Sequence, residues 1–222
     1  MRVAVLSDAH GNAFGLKTCL ESIAQERVEQ VYYLGDSFGY GSDGERVVEL
    51  LRGVNAHALL GNHDAMLLGL LPLDEQRNLS YRLPPLGDVS AASVAWLQAL
   101  LPYAQESVAG CRLLFVHGSP FDPLCGYLYA DGDKRALANL PFDCVFMGHT
   151  HRPYLEKVGQ VCVANVGSCG LPRDIGNRLS YAIYDSEQNL VELRYCTVDP
   201  ARMKDSFANA SDDVLQCLER RK

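Results

Sequence analysis

Short apolar runs that end in polar, glycine-bearing turns recur along this chain, and that alternation limits the fold more than any other feature of the sequence. Residues 3–6, 31–34 and 56–60 are the first three such runs. Between them, Leu16, Leu20 and Ile23 share one helix face and Val47, Val48, Leu50 and Leu51 another, with Ser42 or Asp43 as nearby caps. Strand, helix and strand in that succession read as βαβαβ, the opening of an α/β chain. At 222 residues and 48% hydrophobic content there is enough apolar material for a substantial core. With no repeat, linker or low-complexity segment, residues 1–222 read as a single domain.

The pattern changes after residue 64. Leu-rich helical pieces, Pro72, Pro84-Pro85 and a second helical stretch from about Ser90 to Leu101 predict an inserted helical layer over about residues 65–110. Residues 112–116 and 144–147 read as strands that end in His117-Gly118-Ser119-Pro120 and Gly148-His149-Thr150-His151. Residues 161–166, 181–184 and 190–198 follow as further strands, and about 199–222 as a polar amphipathic helical tail.

Five of the six histidines, His10, His63, His117, His149 and His151, fall in strand-end turns, where an α/β sheet presents its functional loops. Taken singly, Asp8 or Asp36 reads as a turn residue and His117 as a core histidine. Taken together, Asp8-Ala9-His10, Gly35-Asp36, Gly61-Asn62-His63-Asp64, His117-Gly118 and Gly148-His149-Thr150-His151 match in order the signature of the calcineurin-like metallophosphoesterases, and the chain resembles that superfamily. Ser7-Asp8-Ala9-His10-Gly11-Asn12, the Gly35 to Gly41 segment and Asn165-Val166-Gly167-Ser168 followed by Leu171-Pro172-Arg173-Asp174 are similar to its compact bacterial and archaeal phosphodiesterase branch, over about residues 1–186. The resemblance implies an α/β fold, a four-layer α/β/β/α sandwich with two mixed β-sheets and metals at their carboxyl edges.

It also implies roles. Asp8, His10, Asp36 and His151 would hold one divalent transition-metal ion, and Asp36, Asn62, His117 and His149 a second, with Asp36 as the bridge. Mixed nitrogen and oxygen donors suit manganese first, with iron, zinc, cobalt or nickel as alternatives, and argue against calcium. Two such ions would activate a water for attack on phosphorus. His63 resembles the catalytic histidine that faces the leaving oxygen, and Asp64 would orient His63 and raise its pKa; capping of the following helix is the other reading of Asp64. Ser168, Arg152, Arg173 and the Tyr81-Arg82 pair are polar candidates near the motif loops, each readable equally as surface or packing.

The implied reaction is hydrolysis of a small phosphate ester, a diester or nucleotide ahead of a monoester. A metal-dependent binding or regulatory protein without turnover is the reading from another class. Ser37-Phe38-Gly39 and Asp64 stand where the protein Ser/Thr phosphatases carry arginine and glutamate, which speaks against phosphoprotein substrates. A net charge of −7, with 27 acidic against 20 basic residues, argues against nucleic acid as partner. Eight cysteines without a Cys-x-x-Cys pair, an amino terminus with only four apolar residues before Ser7, and no apolar run of membrane length point to a cytoplasmic protein away from membranes. Apolar residues in the inserted helices could pair two chains into a homo-oligomer.

Overall fold

The computed structural model describes residues 1–221. Its strands are numbered along the chain. In the first sheet, β1 (Arg2–Leu6), β2 (Gln30–Tyr33) and β3 (His57–Ala58) run parallel, linked by α1 (Ala13–Ile23) and α2 (Gly44–Gly53). Two later strands, β9 (Arg178–Asp185) and β10 (Leu190–Thr197), add antiparallel at the β1 side, giving the order β10-β9-β1-β2-β3. The second sheet has the order β4-β5-β6-β8-β7. Here β5 (Cys111–Val116), β6 (Cys144–Met147) and β8 (Val161–Asn165) are parallel, and β4 (Tyr103–Val108) and β7 (Tyr154–Val158) close the edges antiparallel.

β1 shows why the sheets stack. Successive side chains of a strand leave on opposite faces. Val3 and Val5 therefore enter the core between the sheets, where they share a cluster with Phe115 and Phe146, whereas Ala4 and Leu6 pack against the α1 side with Leu16 and Cys19. Burial on both faces makes the run almost continuously apolar, as a central parallel strand requires. The outer face of the second sheet, through Leu114, Val145 and Val163, is covered around Leu137 of a 3-10 segment (Arg135–Asn139), so the fourth layer is thin. The layer order is the α/β/β/α sandwich that the resemblance implies.

Two expectations are corrected, and one strand was not anticipated. The inserted layer is helical only as far as Gln98, through α3 (Asn62–Leu67), α4 (Glu75–Tyr81) and α5 (Ala91–Gln98); β4 occupies the rest of the span expected to be helical. β4 buries only Val108, so it carries no alternating pattern to read. Its stability comes from its ladder with β5 through the two-residue turn Ala109-Gly110, both at positive φ (50° and 86°) as a tight hairpin demands. β7 escapes the sequence reading for the same reason, being a mostly exposed edge strand. The tail is two helices, α6 (Pro200–Ser206) and α7 (Asp212–Glu219), and they are not peripheral: Met203, Phe207, Val214 and Leu218 are buried in the cluster beneath α1. Asp199 caps α6 by accepting from Ala201 N at 2.9 Å, with Pro200 in the first turn where its missing N–H costs nothing.

No helix among the described residues is long and apolar enough to cross a membrane. Leu70 and Leu79 of the inserted layer are exposed apolar side chains. Because Phe207 is almost fully buried, Phe207→Ala is expected to cost about 3–5 kcal/mol. Urea denaturation followed by circular dichroism checks this; a tail lying on the surface would give a loss below about 1 kcal/mol.

Candidate metal centre

Every residue expected at the site arrives from the carboxyl end of a parallel strand or the turn after it. Asp8 and His10 follow β1, Asp36 follows β2, Asn62 and His63 follow β3 at the start of α3, His117 follows β5, and His149 and His151 follow β6. Since the parallel strands of each sheet end together, five separate loops meet at one edge of the sandwich.

The loops hold an unusual backbone. Asp8, His10, Asp36, His149 and His151 all have positive φ, between 48° and 63°. Left-handed conformation costs a non-glycine residue about 1–2 kcal/mol, so five of them need compensation. Hydrogen bonds supply it: Asp8 N donates to Gly35 O (3.0 Å), His10 N to Asp36 O (2.9 Å) and His149 N to Asp8 Oδ2 (2.9 Å). Tyr33 Oη donates to Asp36 O at 2.8 Å and accepts from Ala9 N at 3.0 Å, tying the first two loops together. The approach is close enough that a Cβ on Gly148 would strike Ser7 and the Asp8 carboxylate, and one on Gly61 the Asp36 carboxylate.

The inward atoms form two groups that share one oxygen. His10 Nε2 lies 3.4 Å from Asp36 Oδ2 and 3.7 Å from Asp8 Oδ1, and His151 Nε2 lies 3.3 Å from Asp8 Oδ1. On the other side His117 Nε2 is 3.5 Å from the same Asp36 Oδ2 and 2.9 Å from Asn62 Oδ1. His149 joins Asp36 and His117 in a set whose ligand atoms all lie within 4.8 Å of one another, and Asp8, His10 and His151 form another. The outward ring nitrogens are already spoken for: His117 Nδ1 donates to Leu34 O (2.9 Å) and His151 Nδ1 to Leu171 O (2.5 Å). Those bonds place the lone pair of each neutral ring on Nε2, facing inward.

These donors fit divalent cations. His10 Nε2 and His151 Nε2 sit 3.0 Å apart, and Asp8 Oδ1 and His149 Nε2 are buried without a hydrogen-bond partner among the described residues. Left without a cation, such atoms forfeit their solvation with no return. Burial drives the His10 pKa down to about 4 and that of His149 down to about 3, and it also lowers His63, His117 and His151, so the rings are neutral bases at pH 7. Burial likewise raises Asp36 well above the usual carboxylate range, reinforced by Asp8 and Asp64, whereas at Asp8 the adjacent His151 and His10 outweigh burial and hold the carboxyl low.

Asp64 takes the capping role and not the orienting one, and extends it to the neighbouring loop. Its carboxylate accepts from Asp36 N (2.9 Å), Ser37 N (3.0 Å) and Phe38 N (3.2 Å), and more weakly from Gly61 N (3.4 Å) at the start of α3. Burial pushes it up to about 7 against the pull of those N–H groups. Among the described residues it makes no hydrogen bond to the His63 ring, whose Nδ1 is buried and unpartnered. Asp64 thus moulds the loop that carries Asp36, and the His63 pKa is lowered by burial and by neighbouring imidazoles, not raised. His63 instead packs its ring 4.6 Å from His10, 4.9 Å from Tyr40 and 4.4 Å from Tyr81.

The other candidates separate cleanly. Ser168 is buried beneath the site, its Oγ donating to Asp8 O at 2.7 Å and accepting from Leu171 N at 2.6 Å, so it braces the first loop. Tyr81 reaches the centre, whereas Arg82 ends α4 in the left-handed region. Arg173 donates to the Tyr40 hydroxyl at 3.2 Å, and Arg152 is exposed above Tyr129. Two residues were not singled out from sequence: Tyr40, which lies inside the Gly39-Tyr40-Gly41 turn, and Tyr127, whose ring sits 4.0 Å from His149 and which no local pattern marks.

A family model described as the calcineurin-like phosphoesterase superfamily domain matches residues 1–189. The chain belongs to this superfamily. It is 29% identical over 209 residues to an uncharacterised protein of Methanocaldococcus jannaschii, covering 86% of this chain and 85% of that one. It is 27% identical over 202 residues to phosphodiesterase YfcE of Escherichia coli, covering 84% and 89%. Among solved structures, a metallophosphoesterase from Sphaerobacter thermophilus superposes with a TM-score of 0.82 at 25% identity over 100% of this chain and 99% of that one. A Pyrococcus horikoshii protein shares the fold with a TM-score of 0.83 at 19% identity, over 98% and 97%. The two structural matches extend across the α6–α7 tail that the family model leaves out.

Because Asp64 satisfies several backbone donors at once, Asp64→Ala strands them in the interior. A loss of about 2–4 kcal/mol in urea denaturation of metal-free protein is expected. Were Asp64 only an orienter of His63, stability would stay within about 0.5 kcal/mol of wild type.

Proposed function

We propose that this metal-dependent phosphoric ester hydrolase is a phosphodiesterase for a small phosphate ester, working through two divalent ions held by Asp8, His10, Asp36 and His151 on one side and Asp36, Asn62, His117 and His149 on the other. The observation that carries the two-ion reading is the position of Asp36 Oδ2, within 3.4 Å of His10 Nε2 and 3.5 Å of His117 Nε2, at the overlap of the two donor groups. Its partner oxygen Oδ1 accepts from His63 N at 2.8 Å, so the carboxylate cannot turn away. Manganese is the ion we would supply first.

When bound, the ions supply Lewis acidity, lowering the pKa of water and offsetting charge on the phosphoryl oxygens. The protein's own groups do the rest. Neutral imidazoles and the Asn62 amide contribute donors without adding negative charge, so that Asp8 and Asp36 are the only anionic ligands and the site stays attractive to an anion. His63, whose neutral ring packs against His10, Tyr40 and Tyr81 at the centre, is placed to stabilise the leaving oxygen with a hydrogen bond as charge develops on it. Asp64 and Ser168 have no such role; they hold the loops on which Asp36 and Asp8 ride. The YfcE relationship supports a diester over a monoester. Eight free thiols, four of them buried, suit the reducing cytoplasm, which we take as the site of action.

Chelator-stripped protein should cleave bis(p-nitrophenyl) phosphate only after manganese is restored. Asp36→Asn is expected to lower metal content at both positions, read by elemental analysis at matched supply, and to remove diester cleavage. His63→Ala should keep two metals while losing about 100-fold or more in kcat. Cleavage of p-nitrophenyl phosphate alone would make the protein a monoesterase, and unchanged metal content in Asp36→Asn would sink the bridging assignment.

A further inference from the structure

A cavity of about 340 Å³ opens beside the His151 edge of the centre, and its chemistry differs from that of the rest of the molecule. Arg152, Arg173 and Arg220 line it together with Tyr40 and Thr150, and Asp213 is the one carboxylate in its wall. In a chain of net charge −7, three guanidinium groups facing one acid make a local positive field. These arginines are anchored without being neutralised. Arg173 N donates to His151 O (3.1 Å) and its Nη2 to the Tyr40 hydroxyl (3.2 Å), while Arg220 Nη1 donates to Arg173 O (2.8 Å). Among the described residues none of the three is ion-paired with a carboxylate, in contrast to Arg178, which meets Asp174 at 2.7 Å.

The cavity adjoins the candidate metal ligands. The Tyr40 ring lies 4.9 Å from both His10 and His63, so Arg173 stands one ring away from the centre. Arg152 directly follows His151 and sits 5.8 Å above the Tyr129 ring. Tyr129 in turn lies parallel to Tyr127 at 5.9 Å, and Tyr127, 55% exposed, borders His149 at 4.0 Å. Along one rim the protein therefore offers unneutralised guanidinium groups and then a pair of exposed aromatic faces. A guanidinium binds phosphoryl oxygens in bidentate fashion, and a tyrosine face stacks on a nucleobase.

We propose that the substrate is a nucleotide whose scissile phosphoryl group is joined through an anhydride oxygen to a second phosphoryl group, with the second group seated on Arg152 and Arg173 and the base on the Tyr127 and Tyr129 faces. This rests on the phosphoesterase reading of the adjacent centre. Hydrolysis then breaks the bond from the attacked phosphorus to the bridging oxygen; the oxygen of water takes its place on phosphorus, and the departing phosphoryl group leaves on the bridging oxygen, which takes up the proton. Arg152 and Arg173 are specificity residues in this account and take no part in bond breaking.

The test is calorimetric binding to manganese-supplied protein of AMP and of α,β-methylene-ADP, which carries a second phosphoryl group and cannot be cleaved between the two. Wild type should bind the diphosphate about ten-fold more tightly or better, the worth of one added charge-assisted contact. Arg152→Gln and Arg173→Gln should each reduce that preference to about three-fold or less. Arg152 is exposed, so its variant tests the inference even where Arg173→Gln folds poorly. Equal binding of the two ligands by wild type, or a preference retained in both variants, overturns the inference. Hydrolysis of bis(p-nitrophenyl) phosphate in the same preparations keeps the two readings apart: cleavage present with no diphosphate preference refutes only the second subsite, and preference present without cleavage refutes only the catalytic reading.

Discussion

The arrangement turns on the Asp36 carboxylate. One oxygen is fixed by the His63 N–H at the start of α3, and the other is presented to His10 from the first sheet and His117 from the second. The two sheets therefore meet at a point where their side chains want the same positive charge. Everything that surrounds Asp36 serves its position: Asp64 gathers the N–H groups of Asp36, Ser37 and Phe38, and Tyr33 holds the Asp36 carbonyl.

Holding five residues of the centre in the left-handed region is costly, and the cost is met by rigidity below them. Val3, Val5, Phe115 and Phe146 lock the sheets face to face, and Ser168 ties the Asp8 loop to the strand-end turn that leads into Leu171. The α6–α7 tail contributes from further away, since Met203 and Phe207 fill the cluster against which α1 packs. Asn12 joins these levels: it caps α1 through Gly15 N, donates to Gly170 O and accepts from Ser206 at the end of α6. Helix cap, loop and tail are thus one hydrogen-bonded unit just beneath Asp8 and His10.

The electrostatics run opposite to the composition. A net charge of −7 describes the whole surface, yet the centre couples two aspartates to five imidazoles and borders a cavity rich in arginine. Low dielectric around the centre keeps the histidines neutral and lets a few local cations outweigh a larger number of distant, screened carboxylates.

Much of this was legible in the sequence. The parallel strands announce themselves because burial on both faces leaves uninterrupted apolar runs, and each run's closing turn displays its metal-ligand residue types in order. What escaped has a common physical origin: it depends on partners distant along the chain. β4 and β7 carry almost no buried side chains and exist through ladders with β5 and β8, and the tail's burial depends on a face offered by α1. The same holds within the site. Sequence places Asp64 beside His63, but the carboxylate turns to N–H groups some 26 to 28 residues earlier. Likewise Arg152, Arg173 and Arg220 come from separated segments that only the folded chain brings to one cavity. Spacing and residue type determined the fold's framework and the donor set; direction, pairing and local charge were decided by the tertiary structure, because they are properties of contacts between segments that the chain order does not contain.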